Sequence, residues 1–239
     1  MSARYAIYFA PDRHSPWRQF GARWLGRDEH DSTPLAQPLL AGISQEELAR
    51  VTQEPRRYGF HATLKAPFHL AAGHDEASLI RRMGRLVGTL KPLALGPLRS
   101  ATLDASLDAS LGAFVALIPE SNPPALQALA AACVTDLDDL RAPMQEDERL
   151  RRSSKNLDER ALELLRTYGY PHVMERFRFH LTLTGPVDDA VAQHVRNALA
   201  PALARLNAQA PLWLDRLCLF VEKTPGAAFH RVIDLKLQA

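Results

Sequence analysis

The sequence predicts a mixed α+β protein, and three observations support that fold class. Strand patterns and helix patterns follow one another along the whole chain, so neither an all-α nor an all-β fold fits. Several strand patterns are neighbours without a helix between them, which favours antiparallel sheets. One twelve-residue segment occurs twice, at residues 57–68 and 176–187, which indicates two related halves.

The first half of the chain begins with an aromatic and β-branched run that favours a strand. In the helix that follows, Trp17, Phe20 and Trp24 lie at helical spacing, behind Ser15 as N-cap and Pro16 as first helical residue. Further along, a capping box opens the second helix, and an amphipathic pattern marks the third. The predicted strands are 5–10, 60–66, 91–103 and 112–119, and the predicted helices are 16–25, 44–52, 75–90 and 123–137.

The second half opens with a polar and charged segment, residues 141–156, which we expect to connect the halves. Gly169 is a typical residue to end the next helix, and Pro201 must be tolerated or must bend the long one. We expect one domain over 1–239 with two lobes, approximately 1–140 and 157–239, between which the chain can cross. The predicted helices are 157–168 and 188–206, and the predicted strands are 177–184, 212–222 and 228–237.

Composition limits the classes of function. A net charge of +2 over 239 residues does not favour binding of duplex nucleic acid. The start of the chain lacks a signal-peptide pattern, and no apolar run reaches the roughly 18–20 residues of a membrane span. Cys133 and Cys218 form no C-x-x-C pattern, so we expect buried thiols. A cytoplasmic protein without a membrane partner is expected; the sequence leaves the oligomeric state open.

The repeated segment carries the strongest functional signal. Its copies are RYGFHATLKAPF and RFRFHLTLTGPV, far more alike than chance pairing predicts. The residues identical between them are Arg57 and Arg176, Phe60 and Phe179, His61 and His180, Thr63 and Thr182, Leu64 and Leu183, and Pro67 and Pro186.

Alternation along a strand places the histidine and the threonine of each copy side by side. In the first copy, His61 and Thr63 share one face, while Phe60, Ala62 and Leu64 point the other way into the core. The second copy has the same pattern. If the two polar faces oppose each other across a cleft, two imidazoles and two hydroxyls converge there.

Two converging histidines suit acid–base chemistry at a phosphate ester. The unperturbed pKa of histidine lies near neutral pH, so one ring can take a proton while the other donates one. Threonine hydroxyls can donate to the nonbridging oxygens of the phosphate. This chemistry requires no metal and no cofactor. The sequence leaves open which histidine, His61 or His180, is the acid.

Basic and aromatic residues beside the motifs are further candidates. Their alternative roles are a solvated strand edge for the cations and core packing for the aromatic rings. The phosphate-binding candidates are Lys65, Arg178, Arg57 and Arg176, and the candidate substrate contacts are Tyr58, Tyr170 and Lys223.

The segments His61-Ala-Thr63-Leu64 and His180-Leu-Thr182-Leu183 resemble the paired signature of the 2H phosphoesterase superfamily. The resemblance implies a bilobal, pseudo-two-fold fold whose two antiparallel sheets face a central cleft, with helices outside. It implies His61 and His180 as acid and base, and Thr63 and Thr182 as phosphate ligands. RYAIYFAP, WLGRD, GYP and LCLFVEKTPGAAFHRV further resemble a branch of phosphonate metabolism proteins associated with carbon–phosphorus lyase genes; the LDASLDAS loop duplication departs from that branch.

The expected function is therefore a metal-independent cyclic phosphodiesterase, a phosphoric diester hydrolase acting on a small ribose-type cyclic phosphate in phosphonate catabolism. The resemblance to the branch implies 5-phosphoribosyl 1,2-cyclic phosphate as the substrate. The alternatives are an RNA 2′,3′-cyclic phosphate end-processing enzyme and a non-catalytic RNA- or phosphate-binding module. The expected partner is a small phosphorylated substrate, with an RNA end as the second candidate.

Overall fold

The computed structural model describes residues 3–103, 113–153 and 157–238. They form the predicted mixed α+β arrangement with several antiparallel sheets. The duplicated LDASLDAS segment, predicted as a loop, lies outside the described residues apart from its first leucine. Over the described ranges, no helix has both the length and the apolar character that a membrane crossing requires.

Eight α-helices and nine strands are present in the described ranges, and two short 3₁₀ helices span Asp138–Leu140 and Met174–Arg176. The strands are β1 (Arg4–Phe9), β2 (Ala62–Phe68), β3 (Leu93–Gly96), β4 (Leu98–Leu103), β5 (Phe114–Pro119), β6 (Leu181–Thr182), β7 (Leu212–Leu214), β8 (Arg216–Glu222) and β9 (His230–Lys236). The helices are α1 (Pro16–Leu25), α2 (Gln45–Val51), α3 (Gln53–Arg56), α4 (Glu76–Val87), α5 (Pro124–Thr135), α6 (Glu146–Ser153), α7 (Glu159–Tyr168) and α8 (Asp189–Gln209).

Helix α1 shows how closely local sequence sets these boundaries. The Ser15 hydroxyl accepts a hydrogen bond from the Trp17 amide at 3.2 Å, which satisfies one of the free N–H groups at the helix start. Gly26 ends the helix with a φ of 74°, a left-handed conformation that glycine adopts without steric cost. The predicted range 16–25 is therefore confirmed.

The two larger sheets each receive one copy of the repeated segment. The four-stranded sheet has the order β2-β1-β8-β9, and the three-stranded sheet has the order β4-β5-β6, both antiparallel. A third, two-stranded sheet pairs β3 with β7. Each of these sheets combines strands from both halves of the sequence, so the chain crosses repeatedly between them.

Three sequence predictions of elements need correction. The strand expected over 177–184 is only β6, because a 3₁₀ helix precedes it and the backbone pairs with β5 at two positions. The segment 141–156, predicted only as a polar connection, contains helix α6. The single runs 91–103 and 212–222 each divide into two strands that pair in different sheets.

The four-stranded sheet is covered on both faces. Ile7 and Phe9 of β1 lie in the main hydrophobic core, whereas Ala6 and Tyr8 alternate to the other face. There they join a smaller cluster that includes Phe220 and Phe229. This second face carries the first motif histidine.

Candidate functional site

The chain turns sharply before it delivers His61 to the edge of β2. Gly59, in the turn that follows α3, has a φ of 81°. Glycine adopts this left-handed conformation without steric cost, so the chain can bend here. Phe60 is buried and packs edge-on against Phe20, with ring centroids 6.2 Å apart. The buried Phe60 fixes the backbone on one side, so the next side chain, His61, points to the opposite face.

Three contacts orient the His61 imidazole. Its Nδ1 lies 2.9 Å from the Gly59 carbonyl oxygen, which can only accept, so the neutral ring carries its proton on Nδ1. The ring stacks on Tyr8 with centroids 3.7 Å apart and planes at 23°. Its Nε2 lies 3.3 Å from the Thr63 hydroxyl oxygen. Nε2 is therefore the proton acceptor, with a hydroxyl beside it.

Burial lowers the pKa of His61 to about 4, against the opposing effect of its hydrogen bond to the Gly59 carbonyl. The positive charge of His180 lowers this pKa further, so the two imidazoles lie near enough to interact electrostatically. His61 is consequently neutral at pH 7, the state that a general base requires.

This pKa predicts acid sensitivity of the fold. The unfolded chain protonates His61 near pH 6.5, whereas the folded protein protonates it near pH 4. The contribution to stability is therefore complete above about pH 6.5 and is lost as the pH falls towards 4, by about 2–3 kcal/mol. Urea unfolding at pH 7 and at pH 4.5 measures this loss, and His61→Gln should remove it. Exposed His74→Gln is the control, and an unchanged pH slope in His61→Gln would contradict the assignment.

The second histidine uses the same anchor. The Nδ1 of His180 lies 2.8 Å from the carbonyl oxygen of Arg178, two residues earlier, as His61 does with Gly59. Its ring lies 5.8 Å from that of Phe114 on β5, at 54°. Both copies of the motif thus hold the histidine through a contact of Nδ1 with the carbonyl two residues earlier.

The predicted division of faces is confirmed in both copies. The histidine and the threonine of each copy are partly exposed, while the alternate apolar residues are buried. Thr182 pairs with Ala116 in the sheet, and Thr63 pairs with Tyr8. The buried residues are Phe60, Ala62 and Leu64 in the first copy and Phe179, Leu181 and Leu183 in the second.

The expectation that Lys65 shares the face of His61 and Thr63 is wrong. The register shifts between Tyr8 and Ile7, so Thr63 lies opposite Tyr8, whereas Lys65 lies opposite Ile7 on the other face. The Lys65 ammonium is buried and donates to Asp138 at 2.9 Å and to the Val134 carbonyl at 3.0 Å.

The candidate arginines do not lie in regular strands. Arg57 follows helix α3 and its guanidinium contacts Glu222, so the predicted face in an unbroken strand does not apply. Arg176 ends a 3₁₀ helix and pairs with Asp158. Arg178 is exposed and donates to the carbonyls of Glu175 and Phe177. Their binding of phosphate stays a prediction.

The aromatic and lysine candidates lie in separate places. Tyr58 lies beside His61, with ring centroids 6.2 Å apart, and stacks on Phe229. Tyr170 contributes to a different cavity, next to Lys65 and Arg152. Lys223 is exposed in the turn before β9. Tyr58 is therefore a direct neighbour of a motif histidine.

Sequence reasoning missed Tyr8, Arg4 and Glu222. Tyr8 forms the stacking surface for His61, and the buried Glu222 binds both Arg4 and Arg57. The aromatic and β-branched run 4–9 indicated the strand β1, but nothing local indicates which distant residues contact its side chains.

One cluster resembles a metal site by residue type. Asp28, Glu29 and His30 hold their ligand atoms within 4.8 Å of one another. Arg18 contacts both carboxylates, and Arg231 lies 3.4 Å from Glu29. These cations neutralise the carboxylates, so the cluster is an ion-pair network.

Comparisons with known proteins identify relatives. The family model described as "Protein of unknown function (DUF1045)" matches residues 63–230. The chain is 38% identical over 229 residues to "Ribose 1,5-bisphosphate phosphokinase PhnN" of Janthinobacterium sp. (strain Marseille), covering 95% of this chain and 49% of the relative. It is 40% identical over 228 residues to the protein of the same name from Laribacter hongkongensis (strain HLHK9), covering 95% and 50%. The chain spans about half the length of these curated relatives.

These relatives overturn the functional expectation. Their name describes a phosphokinase, which is a phosphoryl transferase, and not a phosphoric diester hydrolase or cyclic phosphodiesterase. The same finding contradicts the alternatives of an RNA end-processing enzyme and a non-catalytic binding module. Membership of the 2H superfamily and of its phosphonate branch stays a prediction.

The extent of the match decides the family. The model covers most of the chain, from the first motif threonine to the start of β9. The chain therefore belongs to the family described as "Protein of unknown function (DUF1045)".

Proposed function

We propose that this chain binds a phosphorylated ribose between His61 and His180 and moves protons at that ligand during phosphoryl transfer. One observation carries the proposal. Two histidines from different sheets are anchored in the same way through Nδ1, and they interact electrostatically. In the proposal, the Nε2 atoms of the two rings are the groups that meet the ligand.

The neutral state of His61 suits the role of the base in this proposal. A neutral imidazole can accept a proton from a ribose hydroxyl or a protonated phosphate as the reaction proceeds. Thr63 lies within 3.3 Å of the accepting nitrogen and is placed to donate to a phosphate oxygen. Thr182 takes the corresponding role beside His180. In this proposal His61 acts as the base and His180 as the acid.

The finer fold assignment belongs to the same proposal. The matched anchors and the matched division of faces support a pseudo-two-fold relation between the motif of β2 and the motif of β6. We propose that this relation is that of the 2H superfamily, with chemistry adapted to phosphoryl transfer. Its place in phosphonate metabolism is part of the proposal.

The phosphorylated ribose in this proposal comes from the name of the relatives. The proposal does not assign the binding of the phosphoryl donor to this chain. None of the lysines in the sequence follows a glycine, so the chain lacks the G-x-x-x-x-G-K pattern that cradles nucleotide phosphates in many kinases. The proposal therefore gives this chain the phosphorylated ribose and not the nucleotide.

Calorimetric titration tests the proposal. We expect ribose 5-phosphate and ribose 1,5-bisphosphate to bind, ribose to bind far more weakly, and His61→Ala to weaken both phosphates at least tenfold. His74→Ala, at an exposed loop position, is the matched control. Failure of both phosphates to bind, or equal binding by wild type and His61→Ala, would overturn the proposal.

A further inference from the structure

We infer that Arg4 and Arg57, held by Glu222, form a second phosphate subsite beside the two-histidine site. The inference rests on the proposed function and narrows its substrate class to a ribose that carries two phosphate groups. One phosphate meets the histidines, and the other meets this arginine pair.

The sheet places the subsite on the correct face. Arg4 pairs with Glu222 across β1 and β8, and Tyr8 pairs with Cys218 further along the same two strands. Residues two and four apart on a strand share a face, so Arg4 lies on the face where Tyr8 stacks on His61.

A buried carboxylate holds the two cations together. The Glu222 side chain is fully buried and binds both guanidinium groups, and it also accepts from the Gly226 amide at 3.0 Å. The two arginine side chains remain 23% and 32% exposed. Glu148 is near enough to raise the pKa of Arg4, but its carboxylate is itself paired with Arg152. Within the group of Arg4, Arg57 and Glu222, two cations against one carboxylate leave a net positive charge, which suits an anionic ligand.

Arg4 has donors left for that ligand. Within the described part of the chain, its side-chain hydrogen bonds go through Nε to Glu222 alone. Its two terminal nitrogens remain as paired donors, the geometry that binds phosphate in a bidentate manner. The Glu222 contact fixes the guanidinium before the ligand arrives, which reduces the entropy lost on binding.

Aromatic rings connect the two subsites over short distances. The Arg57 guanidinium carbon lies 5.3 Å from the Tyr58 ring centroid, and that centroid lies 6.2 Å from the His61 ring. Arg4 lies 5.6 Å from the Phe229 ring, which stacks on Tyr58 at 5.3 Å. Both arginines and His61 therefore contact one aromatic cluster, and the inference places the sugar across Tyr58.

The test compares two ligands by calorimetry. The wild type should bind ribose 1,5-bisphosphate about tenfold or more tightly than ribose 5-phosphate. Arg4→Gln should weaken binding of ribose 1,5-bisphosphate about tenfold and so remove this preference, and Arg4→Lys should restore part of it. Arg85→Gln, on the exposed side of α4, is the matched charge control. Thermal melts check that each variant is folded.

The outcomes separate the inference from the proposed function. Binding of both ligands with equal affinity by the wild type would overturn the second subsite alone. A preference that survives in Arg4→Gln, or an equal loss for both ligands, would also overturn it. If neither phosphate binds the wild type, the proposed function fails and the inference fails with it.

Discussion

Replacing either His61 or His180 with alanine is expected to lower kcat/KM for phosphoryl transfer to a phosphorylated ribose by about 10²- to 10⁴-fold. Each imidazole is anchored through Nδ1, so each variant removes a positioned Nε2 without disturbing the strand hydrogen bonds. Phosphorus NMR with ribose 1,5-bisphosphate, ATP and Mg²⁺ measures the rate in a longer relative that carries the corresponding substitutions, because the proposal gives this chain the phosphorylated ribose and not the nucleotide.

The pH profile gives an independent check. If neutral His61 acts as a base, activity should decline as the pH falls towards its pKa of about 4, and the decline should be absent from the residual activity of His61→Ala. His74→Ala should keep the full rate. Full activity in either motif-histidine variant would exclude that histidine from the chemistry.

Asp138→Ala is expected to destabilise the fold by about 3–5 kcal/mol, because it leaves the buried Lys65 ammonium without its anionic partner. Asp138 also receives two hydrogen bonds from Arg141, which would lose them. Urea unfolding gives the free energy directly.

The neighbouring residue supplies a matched control. Asp139 pairs with Arg82 at an exposed position, so Asp139→Ala should change the free energy of unfolding by no more than about 1 kcal/mol. The double variant Lys65→Met/Asp138→Leu should recover much of the stability lost in Asp138→Ala, since it removes both buried charges. If Asp138→Ala and Asp139→Ala lower the free energy of unfolding equally, the predicted cost of leaving the buried Lys65 without its partner is wrong.

Local periodicity predicted the features that depend on local geometry. The alternation in the two motif copies placed the histidines and threonines on the partly exposed faces and the phenylalanines and leucines in the core. Ser15 and Pro16 predicted the start of α1 for the same reason, because capping involves neighbouring residues.

Features that depend on distant pairing could not be predicted. The extra residue in β2 that turns Lys65 away from Thr63 is set by the register with β1. Arg4 and Glu222 meet across 218 residues of sequence, and no local pattern links them. The short β6 is likewise limited by how few residues pair with β5.

The error about the reaction has a chemical cause. A pair of histidines with adjacent hydroxyls can serve hydrolysis of a phosphodiester or transfer of a phosphoryl group, because both reactions move protons at phosphate oxygens. The residues of the motif indicate proton transfer at a phosphate group, but they do not indicate which molecule accepts the phosphoryl group. The printed name of the relatives describes a phosphokinase, which contradicts the expected hydrolase, and phosphoryl transfer by this chain is the proposal made above.

A crystal structure of this chain with ribose 1,5-bisphosphate tests the central claim most directly. The proposal predicts one phosphate with oxygens about 2.6–3.2 Å from Nε2 of both His61 and His180, the range of a hydrogen bond in catalysis. A ligand bound elsewhere, with neither imidazole in contact with it, would contradict the proposal.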